Sequence, residues 1–415
     1  MNLSKLVKPL YLLLLLMFTA TTLQAQTRTF RIIGYVPSWV NVTTFSNNFD
    51  FKQLTHLNYA FQNPDASGNL ADSNNGLTTL VTNAHLNNVK VLISIGGGSA
   101  ATGTIKDKFV NLITTSEKRA AFIHKIAVYL KTFKLDGLDV DEEGEAINSN
   151  YGAFIKQLAD SLKPKGLLLT AAVGWGAENI PNSAFQYFDW INIMAYDYTG
   201  NWNLNNPGPH SPYWYAQKLI TDYKKRGIKK EQLCLGVPFY GYGFYKAEKA
   251  LSNFSYSSIL AKYPNAWQTD QVADTIYYNG MTTIWKKTKL AMAQTSGVMI
   301  WELSNDVTGA HSLLKVISST VDSTSVSASL NLPYINGLKI YPNPANDYLI
   351  LLNPNFISLS AVNIIDMKGG VVKTIKLQPS GSPESRINIS ALTKGEYVCQ
   401  VTSKVRNFAQ VFIKE

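Results

Sequence analysis

The chain has 415 residues, of which 46% are hydrophobic and 16% charged, which excludes a disordered or fibrous chain and leaves room for a large domain plus a small one. Its formal net charge of +10 comes from scattered Lys and Arg, with only short runs such as Lys224-Lys225-Arg226 and Lys229-Lys230. That scatter reads as a solvated surface and argues against a nucleic-acid partner.

Read in chain order, the first segment is an export signal. Lys5 and Lys8 precede an apolar run, Leu10 to Phe18, that is too short to span a bilayer, and Ala25 is a candidate last residue before cleavage. Residues 1–25 are therefore expected to be a signal peptide. No Cys follows the run, so no lipid anchor is expected, and no other long apolar stretch occurs, so no membrane span is expected.

From residue 30 to 302, eight short apolar, β-branched or aromatic runs recur: Phe30–Val36, Leu54–Phe61, Val89–Ile95, Leu135–Asp141, Leu167–Val173, Asp189–Ala195, Gln232–Pro238 and Gly297–Glu302. Helical patterns lie between most of them, as in Lys118–Phe133, Tyr151–Leu162 and Tyr213–Arg226. This alternation predicts an α/β protein whose parallel strands close into a (β/α)₈ TIM barrel over residues 28–316. A doubly wound open sheet would need a Gly-rich first turn, and Val36-Pro37-Ser38-Trp39 is not one. The long gap from Phe239 to Ser296 predicts a small inserted β element, with Asn279-Gly280 as a hairpin turn.

Ser318–Leu330 is rich in Ser, Thr and Val without clear period, so residues 317–335 read as a linker. Residues 336–415 carry seven short alternating runs separated by turn residues, which predicts a small all-β sandwich. The two cysteines, Cys234 and Cys399, fall in different predicted domains, so no disulfide is expected.

The fourth run continues as Leu135-Asp136-Gly137-Leu138-Asp139-Val140-Asp141-Glu142-Glu143. Side chains alternate along a strand, so Asp139, Asp141 and Glu143 share one face. In a barrel that face points inward and rises toward the mouth, where barrel enzymes keep their catalysts. Three stacked carboxylates cannot all ionise cheaply, and the outermost, Glu143, is placed as a proton donor. The alternatives are a solvated acidic strand end or a metal site. A metal site would prefer mixed ligands, and no nearby His offers one. No zinc spacing, P-loop or dinucleotide fingerprint occurs, so neither metal nor cofactor is expected.

Asp136-x-x-Asp139-x-Asp141-x-Glu143 resembles the D-x-x-D-x-D-x-E signature of glycoside hydrolase family 18, the chitinase family. Ser94-Ile95-Gly96-Gly97, Met194-Ala195-Tyr196-Asp197 and Trp301 fall where that family has S-x-G-G, M-x-Y-D and a Trp. The resemblance implies a secreted, endo-acting chitinase with substrate-assisted retention. In it Glu143 is the acid, Asp141 and Asp139 support it, and Tyr196 holds the substrate's acetamido oxygen. Asp197, Trp301, Tyr35 and Met194 are the implied substrate contacts. The implied partners are chitin, chito-oligosaccharide or an N-glycan, and a monomer is expected. Trp39, Trp175 and Trp202 lie beyond strand ends and are candidate sugar platforms, whereas His56 and His210 read as satisfied polar residues.

Two departures bear on the substrate. Glu142 stands where the family often has an aromatic residue, a feature shared with some endo-β-N-acetylglucosaminidases of the family, which are the runner-up reading. Tyr242 stands where a P-x-Y-G-R segment would place Arg. A non-catalytic chitin-binding lectin is the third reading, and the presence of Glu143 argues against it. Tyr341-Pro342-Asn343-Pro344, opening the last domain, resembles the C-terminal sorting domain of the type IX secretion system of Bacteroidetes. That implies export through the secretion machinery to the cell surface or medium; a carbohydrate-binding sandwich is the alternative for this module.

Overall fold

The computed structural model describes residues 29–71, 76–244, 253–325, 339–352, 359–366, 370–377, 384–403 and 407–415. The signal peptide expected over residues 1–25 lies outside these, as do residues 326–335 of the expected linker.

The first unit runs β1 (Arg31–Pro37), α1 (Val42–Asn48), β2 (His56–Ala60), α2 (Leu77–Leu86), β3 (Lys90–Gly96), α3 (Gly103–Leu112), α4 (Ser116–Thr132), β4 (Gly137–Asp141), α5 (Tyr151–Leu162), β5 (Leu168–Val173), β6 (Trp190–Ile193), α6 (Tyr213–Lys225) and β7 (Leu233–Pro238). It continues through β8 (Tyr240–Gly243), β9 (Asn253–Ser255), α7 (Tyr256–Lys262), β10 (Gln271–Val272), β11 (Ile276–Tyr277), α8 (Met281–Gln294), β12 (Gly297–Trp301) and α9 (Leu313–Ser325). Strands β1 to β7 and β12 close into a parallel barrel, β12 pairing with both β7 and β1. This is the TIM barrel the alternation predicted. Its strands are buried on both faces, as the continuous apolar runs require.

The helices bury one stripe each. On α4, Phe122, Ile123, Ile126, Tyr129 and Leu130 recur at helical spacing, and the Thr115 hydroxyl accepts from Lys118 N to cap its start. A main core fills the layer between strands and helices. A separate cluster that includes Ile33, Tyr35, Trp190, Tyr196 and Met299 fills the barrel interior.

The inserted β element is present as a four-stranded sheet in the order β10-β11-β8-β9. Its tight turn is not at Asn279-Gly280. The β10–β11 turn passes through Ala273 and Asp274, at φ of 49° and 54°. Gly280 instead caps α8, and Asp270 accepts from Gly280 N (2.8 Å) and the Thr283 hydroxyl (2.6 Å). The β-branched start of that segment looked like a strand. Burial of Ile284, Thr288 and Ala291 at helical spacing makes it a helix.

The linker reading is also corrected at its start. Residues 317–325 belong to α9, which buries Ile317 and Val321 against the main core. Its hydroxyls are absorbed by the helix itself: Ser319 and Thr320 donate to the carbonyls of Lys315 and Val316, each at 2.6 Å.

The second unit has two antiparallel sheets. One pairs β13 (Lys339–Tyr341), β14 (Tyr348–Leu352) and β17 (Glu384–Asn388). The other pairs β15 (Leu359–Asp366), β16 (Val371–Lys376), β18 (Gly395–Ser403) and β19 (Asn407–Lys414). Their inward residues, among them Leu349, Leu351, Val362, Ile364, Val401 and Phe412, form a core of their own. Cys234 is buried in the first unit and Cys399 in the second, and both are free thiols.

Candidate active site

The site is built at the C-terminal ends of the barrel strands. β3 and β4 run in register, Ser94 beside Asp139 and Gly96 beside Asp141. Gly96 adopts a φ of 107°, and a Cβ there would lie 2.2 Å from the Asp141 carbonyl oxygen. Only glycine permits that approach.

Asp139 is fully buried and receives four donors. Tyr35 Oη (2.6 Å) and Ser94 Oγ (2.8 Å) reach Oδ2, while Thr170 Oγ1 (2.5 Å) and Asn192 Nδ2 (3.4 Å) reach Oδ1. Burial raises its pKa and the four donors pull it back. Burial is the larger effect, so the pKa stays above the usual carboxylate value.

Asp141, next toward the mouth, is in the opposite position. It is 4% exposed and its Oδ1 has no hydrogen-bond partner. Burial, then the charges of Glu143, Asp139 and Glu142, push its pKa well above the usual range. Asp139 and Asp141 therefore both resist ionisation, Asp141 the more strongly.

Glu143 is partly buried at the rim. Its pKa is held up to about 7 by burial and by the charge of Asp197. The carboxyl lies over the β3 loop, 3.7 Å from where a Gly98 Cβ would be. Trp175, 60% exposed, lays its ring on Gly144: a Cβ on that glycine would come within 2.8 Å of it.

Tyr196 and Asp197 follow β6. The Tyr196 ring is buried edge-on to Tyr240, and its hydroxyl meets the Met299 sulfur at 3.9 Å, a weak acceptor. Asp197 has a left-handed backbone, φ 58°. Its Oδ1 accepts from the Tyr240 hydroxyl and lies 3.3 Å from His210 Nδ1. Met194 is partly buried and packs its Cε against Gly174. Trp301 rests edge-on over Tyr35 (5.5 Å between centroids) and stacks on Phe61 (5.6 Å), with exposed Trp39 beside it.

The structure therefore gathers the predicted carboxylates, Tyr196, Asp197 and Trp301 at one mouth. Tyr35 is reassigned: it is 1% exposed and lies beneath Trp301 with its hydroxyl on Asp139, so it is an interior support and not a cleft wall. His210 is satisfied, as expected, but its partner is a site residue. His56 is held neutral by burial, which drops its pKa to about 3. Sequence reasoning missed Thr170, Asn192 and Tyr240. The available signal for the first two was a single polar residue at an inward position of an otherwise apolar strand.

An eight-stranded parallel barrel with a stacked carboxylate column at its strand-four rim defines a TIM-barrel protein with a glycosidase-type acidic site. Residues 31–306 match Glycosyl hydrolases family 18, and the chain belongs to that family. Residues 339–415 match the secretion system C-terminal sorting domain, which makes this a secreted or cell-surface protein. Among the described residues no helix is long and apolar enough to cross a membrane. Similar solved structures include a family 18 chitinase from the chitin utilization locus of Flavobacterium johnsoniae, 34% identical with TM-score 0.66, covering 72% of this chain and 96% of that one. A chitinase from Bacteroides thetaiotaomicron is 27% identical with TM-score 0.64, covering 73% and 99%. Among curated relatives, a chitinase-like effector of Moniliophthora roreri is 29% identical over 56% of this chain and 63% of its own length. Probable chitinase 10 of Drosophila melanogaster is 26% identical over 53% of this chain, which spans only 11% of that relative.

Proposed function

We propose that the chain is a secreted, endo-acting chitinase that hydrolyses β-1,4 bonds between N-acetylglucosamine units with retention of configuration. The observation that carries the reading is the column Asp139, Asp141, Glu143, in which burial and neighbouring charge raise the pKa of the outermost carboxyl to about 7 and push that of the middle one well above the usual range, its buried Oδ1 having no hydrogen-bond partner.

In this reading Glu143 donates its proton to the glycosidic oxygen as the bond to the anomeric carbon breaks. The substrate's own acetamido oxygen attacks that carbon and forms an oxazolinium ion, so no protein nucleophile is needed, an exception to the two-carboxylate scheme. Asp141 turns its free oxygen to the acetamido N–H and stabilises the developing positive charge. Asp139, one step deeper on the same face, takes up the proton of Asp141 as that carboxyl becomes charged beside the acetamido group, and returns it afterwards. Tyr196, whose hydroxyl meets the weak acceptor Met299 Sδ at 3.9 Å in the resting site, donates to the acetamido oxygen. Asp197 and Met194 contact the same sugar and Trp301 forms its floor. Water then attacks the anomeric carbon on the other face, giving its proton to Glu143 and opening the ring.

The second reading, an endo-β-N-acetylglucosaminidase acting on N-glycans, is favoured by one feature: Glu142 occupies the aromatic position before Glu143. Incubating the native chain and Glu143→Gln with chitohexaose and with a high-mannose glycoprotein separates these. Cleavage of chitohexaose, lost by at least a thousandfold in Glu143→Gln, is the expected result. Release of glycan alone would replace the first reading by the second, and binding without cleavage of either would favour the lectin.

A further inference from the structure

Behind the segment that carries Tyr196 and Asp197 lies a buried cation whose acceptors include no carboxylate. Lys287, on α8, is 0% exposed. Its Nζ donates to the Ser211 carbonyl (2.6 Å), to Ser211 Oγ (2.6 Å) and to Asn279 Oδ1 (2.7 Å). Three donors meet three acceptors, so the ammonium form is fully satisfied. Asp270 favours the charge from further off, while burial pulls the pKa down to about 7. An apolar side chain would fill this space without the desolvation penalty of a buried charge.

What the lysine grips explains its presence. Because the ammonium only donates, it takes a lone pair of Ser211 Oγ and leaves that hydroxyl proton for the Ala195 carbonyl, 2.6 Å away. Asn279 adds a second hold, donating to the Ser211 carbonyl at 3.1 Å. The preceding residue, His210, sets its ring between Asp197 Oδ1 (3.3 Å from Nδ1) and the Tyr240 carbonyl (3.1 Å from Nε2), donating to one of them in either neutral tautomer, and its own carbonyl accepts from Tyr198 N (2.9 Å). Two consecutive residues therefore bind Ala195, Asp197 and Tyr198, on both sides of Tyr196. The left-handed backbone at Asp197 is a conformation that surrounding contacts must maintain.

We propose that Lys287 is a positioning residue for Tyr196 and Asp197. It fixes the His210-Ser211 pair, which fixes residues 195–198 in the conformation that presents both side chains to the barrel mouth. Since Lys287 and Asn279 belong to α8 and its lead-in, the insertion after β7 is fastened to the loop after β6 through this contact. The inference deepens the chitinase reading and rests on it for its kinetic consequence, though not for its structural one.

The test has two arms. In the first, hydrogen exchange followed by mass spectrometry compares the native chain with Lys287→Met and Ser211→Ala, well below their unfolding temperatures. Faster exchange confined to peptides spanning 195–211 and the start of α8 is expected. Unchanged protection there would overturn the proposal whatever the activity. In the second, kcat/KM on chitotetraose is measured in a cycle of Lys287→Met with Asp197→Ala. The lysine substitution should cost at least tenfold in the native background and at least threefold less when Asp197 is already gone, the remaining loss acting through Tyr196. Equal losses in both backgrounds would reduce Lys287 to general stabilisation. Ser211→Ala, which keeps the packing, gives the same cycle if Lys287→Met does not fold. Failure of the native chain to cleave chitotetraose would count against the chitinase reading and leave the exchange arm to decide this one.

Discussion

Glu142 points away from the barrel interior, as strand alternation requires, and it does not reach solvent. It is 4% exposed with both carboxylate oxygens unpartnered. Burial and the charge of Glu143 raise its pKa to about 8, and Tyr151 from α5, also buried, lies within its field. The folded chain therefore holds this proton more tightly than the unfolded chain, whose Glu titrates at about 4.3. The stability it contributes is complete below that value and is lost as pH rises toward 8. Glu142→Gln is expected to leave the melting temperature unchanged near pH 4 and to raise it near pH 9, by an amount on the order of a few kcal/mol in unfolding free energy. Thermal denaturation at the two pH values checks this, and equal shifts at both would refute it. In the proposed chitinase reading the working form of Glu143 is the protonated one, so kcat/KM should fall on the alkaline side with a midpoint near 7. The column itself was legible in the sequence because period-two alternation is strict within a strand. Its supports were not: Thr170 and Asn192 reach Asp139 from β5 and β6, 31 and 53 residues along the chain. Parallel pairing of β4 with β5 and of β5 with β6 brings them there.

At the scale of elements, β3 and β4 must approach closely for Asp141 to sit where it does. Gly96→Ala would drive a methyl group into the Asp141 carbonyl and force a side chain onto a φ of 107°. The variant should lose at least about 2 kcal/mol of stability and most of its turnover, more than Gly103→Ala, where a Cβ meets open space. Chemical denaturation of the two variants makes the comparison. All eight barrel strands were readable from their apolar runs, because a strand buried on both faces leaves no ambiguity of face. Two elements were misread for one reason. Asn279-Gly280 and the Ser/Thr-rich start of the expected linker carry local turn and loop signals, but each segment buries a helical stripe, Ile284 with Ala291 in one and Ile317 with Val321 in the other. Tertiary burial outweighs local propensity there.

At the scale of the whole molecule, the chain divides into a barrel unit ending near Thr324 and a sorting unit from Ser325. Each has its own buried core. A chain ending at residue 325 should therefore keep the barrel's melting temperature within about 2 °C, since no core residue of the first unit is removed, and should keep its turnover. It should fail to appear in the medium or on the surface of a host with the matching secretion system. Loss of activity in the purified truncated chain would show that the sorting unit supports catalysis.

The two cysteines turn this division into a measurement. One thiol lies sealed in each core, and burial pushes the pKa of both up to about 12. Neither can react with a thiol reagent until its own unit opens. The native chain thus carries two built-in clocks. The labelling rate of Cys234 times the opening of the barrel, that of Cys399 times the opening of the sandwich, and comparing them in one sample would reveal which half opens more readily.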